Sequence, residues 1–180
     1  MNNTPHNSLK NDIRYKNHET RPDLAGEYLL GDTYQGIAML IFIGVTVLDY
    51  LLTGIPQILQ AAIPICARAP FSAALFGLGG WLSIYGIKIV FGEYKEEPIF
   101  RKEGMFSKVR HPIYLGAILI YLAVLLLTLS ILGTIAWIGI VFLYHWLSKY
   151  EENRMIKVFG EDYRRYQKIV PMWLPRIKKK

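Results

Sequence analysis

The chain of 180 residues is 52% hydrophobic and only 19% charged, with a formal net charge of +7. Its mean hydropathy of +0.23 excludes a disordered chain, which lacks the apolar side chains to form a core. Cys66 is the single cysteine, so a secreted disulfide scaffold is excluded as well.

Residues 1–33 form a polar N-terminal segment with four Lys/Arg against five acids. They contain no apolar stretch of the kind that a cleavable signal requires. Residues 34–52, interrupted only by Gln35 and Asp49, reach about 28 Å as a helix, roughly the thickness of the hydrocarbon layer. Residues 54–69 are apolar but broken by Pro56 and Pro64, and read as an interfacial or re-entrant segment. Residues 70–91 form a second span with Lys88 close enough to its end to snorkel. Gly77, Gly79 and Gly80 give this span a small-residue packing face. Residues 34–91 are thus read as the N-terminal transmembrane helices.

Between positions 113 and 146 only His145 can carry charge, which marks the chain as an integral membrane protein. The apolar run 113–147 would measure about 52 Å as one helix, too long for a single crossing. Thr128, Leu129, Ser130 and Gly133 are the natural place to fold it into a hairpin. Four spans then put the N-terminus, the loop 92–110 and the C-terminal tail on the cytoplasmic side, with Arg68 alone opposite. A fifth span within 54–69 would flip only the N-terminus, so four to five spans stay open. The expected fold class is an all-α, polytopic transmembrane helix bundle.

From Ser148 onward there are ten Lys/Arg against four acids. Beside a span, such charge signals topology and contact with anionic membrane lipids, so no nucleic-acid partner is expected. Ile156, Phe159, Tyr163, Tyr166 and Val170 recur every three or four residues. This spacing predicts a helix that continues the last span, bends onto the membrane surface and packs on the bundle. Trp173, after Pro171, suits the membrane interface.

Two polar clusters flank the hairpin on the same side. One holds Lys108, Arg110, His111, Pro112 and Tyr114; the other holds Glu151, Glu152 and Arg154. Pro112 fits the first turn of a helix, which leaves Arg110 and His111 at a helix mouth whose amides favour an anion. Tyr114 shares a face with His111, and Gly116 admits a ligand or a second helix. Each piece has a plainer reading: Arg110 and Lys108 as topology anchors, His111 as an interfacial histidine, the acids as a solvated helix end. Together they point to a ligand site. His6, His18, His111 and His145 are dispersed, so no metal is expected. Asp49 is expected to pair with a basic loop residue, and the glycines of the second span follow no strand, so they form no dinucleotide fingerprint.

The segments Gly104-Met105-Phe106, Arg110-His111-Pro112-Ile113-Tyr114-Leu115-Gly116, Glu151-Glu152, Phe159-Gly160-Glu161-Asp162-Tyr163-Arg164-Arg165-Tyr166 and Val170-Pro171 resemble the isoprenylcysteine carboxyl methyltransferases. These belong to a wider group of integral membrane methyltransferases that includes phospholipid N-methyltransferases. The resemblance covers residues 93–175 and makes 92–180 a methyltransferase core of cytoplasmic loop, hairpin and C-terminal helix. It implies a site for S-adenosyl-L-methionine, with S-adenosyl-L-homocysteine as product, built from the hairpin and its flanking loops. Carried over by motif, His111, Pro112, Ile113 and Tyr114 would hold the cofactor, and Glu151 would be its binding acid. Phe106 stands where relatives carry a tyrosine, and Pro98, Ile99, Phe100 and Arg101 match an upstream cofactor-contacting stretch.

The resemblance implies a lipid-like or prenylated acceptor entering from the bilayer. Relatives that act on prenylcysteine carry an arginine four residues before the acid matched by Glu151, and here that place is Leu147. Lys149 and Arg154 are the nearby cations that would hold a substrate carboxylate in its stead. No catalytic residue is assigned, though Glu152 and His145 are candidate bases. Prenylcysteine carboxyl O-methylation is the first functional reading and phosphatidylethanolamine-type N-methylation the second. An NADPH-dependent sterol reductase-like enzyme and a non-enzymatic membrane scaffold or carrier are the remaining alternatives.

Overall fold

A computed structural model describes residues 30–91 and 99–175, all helix and connecting turns. The helices are α1 (Gly31–Leu52), α2 (Ile55–Ala62), α3 (Ile65–Phe91), α4 (Pro112–Thr128), α5 (Ile131–Phe159) and α6 (Glu161–Ile169), with a short 3-10 turn at Gly104–Ser107 before α4. Helices α1, α3 and α5 are long and apolar enough to cross a membrane, while α4 is a shorter apolar helix of 17 residues. Most of the 1–33 segment, the Pro98 position and the terminal lysines lie outside the described residues.

One segment divides differently from the sequence reading. The segment 54–69 is not one unit: α2 ends at Ala62, and α3 already begins at Ile65. Pro70 therefore lies inside α3, where its missing N–H removes a single backbone hydrogen bond close to the helix start. The last span continues unbroken to Phe159, the extension that the spacing predicts. Gly160 then takes a left-handed φ of 55°, which glycine adopts without steric cost, and α6 leaves in a new direction. Tyr163, Tyr166 and Val170 are buried against Phe100, Met155, Ile156 and Phe159, the apolar face that the spacing predicted.

Helices α3 and α4 form the tightest pair, α1 packs on α5, and the α4–α5 hairpin joins the two pairs. The α3–α4 seam is antiparallel and repeats every seven residues. Ser72 Oγ donates to Ala123 O at 2.7 Å; a Cβ on Gly79 would lie 2.6 Å from Gly116 O, and one on Gly86 would lie 2.6 Å from Ile113. Small residues let these backbones touch where no apolar driving force separates helix from lipid. Of the three glycines expected to form this face only Gly79 does so, since nothing lies within 4 Å of an added Cβ at Gly77 or Gly80. The period of the seam is a heptad, and those two positions fall off it.

The end of the bundle opposite Pro112 is closed by caps. Gln60 Nε2 donates to Thr128 O at 2.9 Å, and the buried Arg68 guanidinium donates to Leu127 O, placing a cation at the C-terminus of α4 where the helix dipole favours it. Leu129 turns the chain with φ 52°, and Ser130 caps α5 by accepting from Gly133 N at 2.8 Å. Asp49, fully buried at the end of α1, has no basic partner among these contacts. Its Oδ2 accepts from Ser130 Oγ at 2.7 Å and Leu132 N at 3.2 Å, and its Oδ1 accepts from Thr53 Oγ1 at 2.8 Å. The expected pairing with a basic loop residue is replaced by capping, because the first turn of α5 offers amides that nothing else satisfies.

Candidate active site

The other end of the hairpin is built on the mouth of α4. Pro112 occupies the first helical turn, and His111 precedes it without capping the helix through its side chain. His111 O accepts from Leu115 N at 3.0 Å, but the amides of Ile113 and Tyr114 have no preceding helical carbonyl to meet. Because α5 runs on past the hairpin, it carries Tyr144, Lys149, Glu151 and Glu152 alongside this mouth.

Glu152 is the hub. It is 1% exposed, and its Oε1 lies 2.9 Å from Arg110 Nε and 3.2 Å from His111 Nε2. Its Oε2 accepts from Gln167 Nε2 at 2.9 Å and faces Lys149 Nζ at 3.7 Å. A carboxylate so deeply buried persists as an ion only when paired and hydrogen-bonded on both oxygens, and here it is. Arg110 also donates from its backbone to Pro171 O at 3.0 Å and from its guanidinium to Gln167 O at 3.2 Å. It therefore binds α5, α6 and the C-terminal segment together and is no surface anchor.

Glu151 sits beside the hub and accepts a hydrogen bond from Tyr114 OH, with Oε2 at 3.6 Å from His111 Nδ1. The imidazole of His111 thus lies between two carboxylates. Burial pushes its pKa below the ordinary value against the opposing pull of Glu152, so the ring is neutral at pH 7. Tyr114 stacks on His111 with ring centroids 5.9 Å apart and on Tyr144 at 5.1 Å. Trp173 leans over His111 at 6.1 Å, and its indole donates to His145 Nδ1 at 3.3 Å.

Of the residues predicted from sequence, His111, Pro112, Ile113, Tyr114 and Glu151 come together at this mouth. Phe100 does not: it packs on Phe159, Tyr163 and Tyr166 at 4.8–5.6 Å, inside the apolar contact that seats α6. Arg101 reaches back to Val90 O at the end of α3, at 3.5 Å. Phe106 contributes its carbonyl, which accepts from Tyr166 OH at 2.6 Å; burial raises the pKa of that phenol, so it stays a donor. Lys149 joins the cluster through Glu152, whereas Arg154 lies over the Tyr150 ring at 6.0 Å. Leu147 is fully buried with Ala38, Phe42 and Tyr144, so the place of the missing arginine faces the bundle core. Gln167 and Trp173 were not among the candidates. Gln167 carries no pattern that marks it, and Trp173 reads as an interfacial aromatic until the chain folds back over His111.

A helical membrane bundle with a buried carboxylate–imidazole–guanidinium cluster at a helix mouth is the class that the fold and site define. The sequence matches the phospholipid methyltransferase family over residues 68–162, more than half of the chain, and the protein belongs to that family of membrane methyltransferases. The match begins at Arg68, upstream of the motifs, and so takes in the α3 seam as well as the hairpin. The chain is similar to methanethiol S-methyltransferase 1 of Bradyrhizobium diazoefficiens, 32% identical over 47% of this chain and 29% of the relative. It is similar to the methanethiol S-methyltransferases of Crocosphaera subtropica (29% identical over 58% of this chain and 40% of the relative) and Pseudomonas deceptionensis (34% identical over 44% and 30%). The matched region is thus only about a third of the length of these curated relatives. No solved structure matches the chain. The family is one of methyltransferases, a class whose chemistry requires a methyl donor.

Proposed function

We propose that this protein is an integral membrane methyltransferase that uses S-adenosyl-L-methionine and transfers its methyl group to an apolar thiol. The observation that supports this best is the meeting of Glu151, Tyr114 and His111 at the mouth of α4, within the stretch that matches the family. The donor set fits the cofactor. The Glu151 carboxylate can accept ribose hydroxyls or balance a sulfonium, the first-turn amides of α4 can take a carboxylate, and the Tyr114, His111 and Trp173 rings can cover a purine. When bound, the cofactor supplies a methyl group already activated by its sulfonium. The chain's own residues then mainly align the acceptor and exclude water.

A thiol acceptor is favoured on two grounds. The similar proteins are named for methylating methanethiol, and Leu147 offers no cation for a prenylcysteine carboxylate. If that carboxylate is the substrate, Lys149 must leave Glu152 to hold it, or Arg154 must leave the Tyr150 ring. The family's description favours a second reading, a phospholipid amine. In each case the acceptor enters from the bilayer between the arms of the hairpin. The bias of Lys/Arg toward the loop and tail supports a cytoplasmic site.

The test is methyl transfer from labelled S-adenosylmethionine by protein purified in lipid nanodiscs. Hexanethiol, a prenylcysteine analogue and phosphatidylethanolamine would be offered side by side. The thiol is expected to react fastest. Methylation confined to the amine or the carboxylate would replace the thiol reading. Failure to bind S-adenosylhomocysteine in calorimetry would overturn the enzyme itself.

A further inference from the structure

We propose that His111 is the general base of the reaction, with Glu152 as the positioning residue that orients it; this rests on the thiol reading above. A thiol must lose its proton before sulfur becomes a strong nucleophile, so a base is required beside the acceptor. The cluster offers few. Arg110 and Lys149 are cations with no lone pair to give. Glu152 already faces Arg110, His111, Gln167 and Lys149. Glu151 accepts from Tyr114, and as a carboxylate it is a weaker base than an imidazole. His145 has its Nδ1 engaged by the Trp173 indole.

The two nitrogens of His111 are not equivalent. Nε2 lies 3.2 Å from Glu152 Oε1, an acceptor-only atom when ionised, so Nε2 carries the hydrogen. Nδ1 is then the lone pair, and the nearest carboxylate, Glu151 Oε2, stands at 3.6 Å, beyond hydrogen-bond length. The buried ring is held neutral at pH 7, the state that can accept a proton. Once it does, Glu152 at one nitrogen and Glu151 near the other offset part of the cost of the buried charge. Charged groups facing the ring are Arg110 from its own segment and Lys149, Glu151 and Glu152 from α5, with Tyr114 stacked above.

In the step, the S–H bond of the acceptor breaks and its proton moves to His111 Nδ1. The sulfur electron pair forms the new S–CH3 bond, and the bond from that methyl to the donor sulfur breaks, leaving its pair on the donor. The proton on His111 passes to solvent after the products leave.

The experiment has two readouts. The first is nitrogen NMR of selectively 15N-histidine-labelled protein at pH 7.5 without cofactor, with His111 assigned by its disappearance in His111→Asn. A hydrogen on Nε2 and a bare Nδ1 are expected, shifting toward the other tautomer in Glu152→Gln. A wild-type ring with its hydrogen on Nδ1 overturns the proposal whatever the activity. The second compares hexanethiol, mostly protonated at this pH, with thiophenol, mostly ionised, at saturating S-adenosylmethionine. Loss of a cofactor contact slows both acceptors alike, whereas loss of a base slows the protonated one in addition, so the ratio of hexanethiol to thiophenol rates should fall about 100-fold in His111→Asn and by a smaller factor in Glu152→Gln. An unchanged ratio overturns the base. Methylation of neither thiol by the wild type overturns the thiol reading and the base together, whereas the tautomer result bears on the base alone.

Discussion

Adjacent acids on one helix have different duties here because they face different neighbours. Glu152 is enclosed by cations and an amide, so it holds the site together; Glu151 accepts from a neutral phenol and faces the helix mouth. Glu151→Gln is therefore expected to weaken S-adenosylhomocysteine binding by about 1.5–3 kcal/mol, the worth of a charge-assisted hydrogen bond, with little change in melting temperature. Calorimetry and thermal unfolding on the same preparation check both halves. His111 predicts a pH effect on stability. Its folded pKa lies below its ordinary 6.5, so above pH 6.5 neither state binds the proton and stability is unaffected. Below pH 6.5 the unfolded chain takes up a proton that the folded chain refuses, and stability falls by up to about 1.4 kcal/mol per pH unit until the folded pKa is reached. His111→Asn should remove that share of the decline between pH 6.5 and 5, measured as the difference between the two melting curves.

At the scale of elements, the seam and the caps carry separable parts of the stability. A Cβ on Gly116 would lie 2.5 Å from Gly79 O and 2.9 Å from Ser83 N, backbone atoms that move only if the helices part. Gly116→Ala should cost about 1–3 kcal/mol as an overpacking change. Gly80→Ala, with nothing within 4 Å, should be neutral or stabilising by up to about 1 kcal/mol through helix propensity. Thermal unfolding in detergent distinguishes the pair. Asp49→Ala should cost about 1.5–3 kcal/mol by leaving the Leu132 amide and Ser130 hydroxyl without their charged acceptor. It should leave S-adenosylhomocysteine affinity unchanged, because this cap lies at the opposite end of the hairpin from His111.

For the whole molecule, the helices imply two different faces. Gln60, Arg68 and Asp49 gather at one end of the bundle, Arg110, His111, Glu151 and Glu152 at the other. With the site on the cytoplasmic side, Cys66, which is exposed, should react with a membrane-impermeant maleimide in intact cells. Ser107→Cys in a Cys66→Ser background should react only after permeabilisation. The reverse pattern would place the site on the outer face and remove the positive-inside argument.

The sequence by itself determined that the protein is helical and membrane-embedded, where the hairpin turns, and which segments supply the candidate cluster. Each of these follows from local signals: the length of apolar runs, the Thr128-Leu129-Ser130 break, Pro112 before a helix, and motifs contiguous in the chain. The heptad of the α3 seam was hidden because Ser72, Gly79 and Gly86 are small for a reason that lies on α4. Asp49 was read as a charge needing a cation because the unsatisfied amides that it caps belong to another helix. The enclosure of Glu152, which the sequence offers only as a candidate base, is likewise decided by the fold. Neighbouring residues on α5 point about 100° apart, and only the packing of α4, α6 and the returning C-terminal segment decides which carboxylate is enclosed and which faces the open helix mouth.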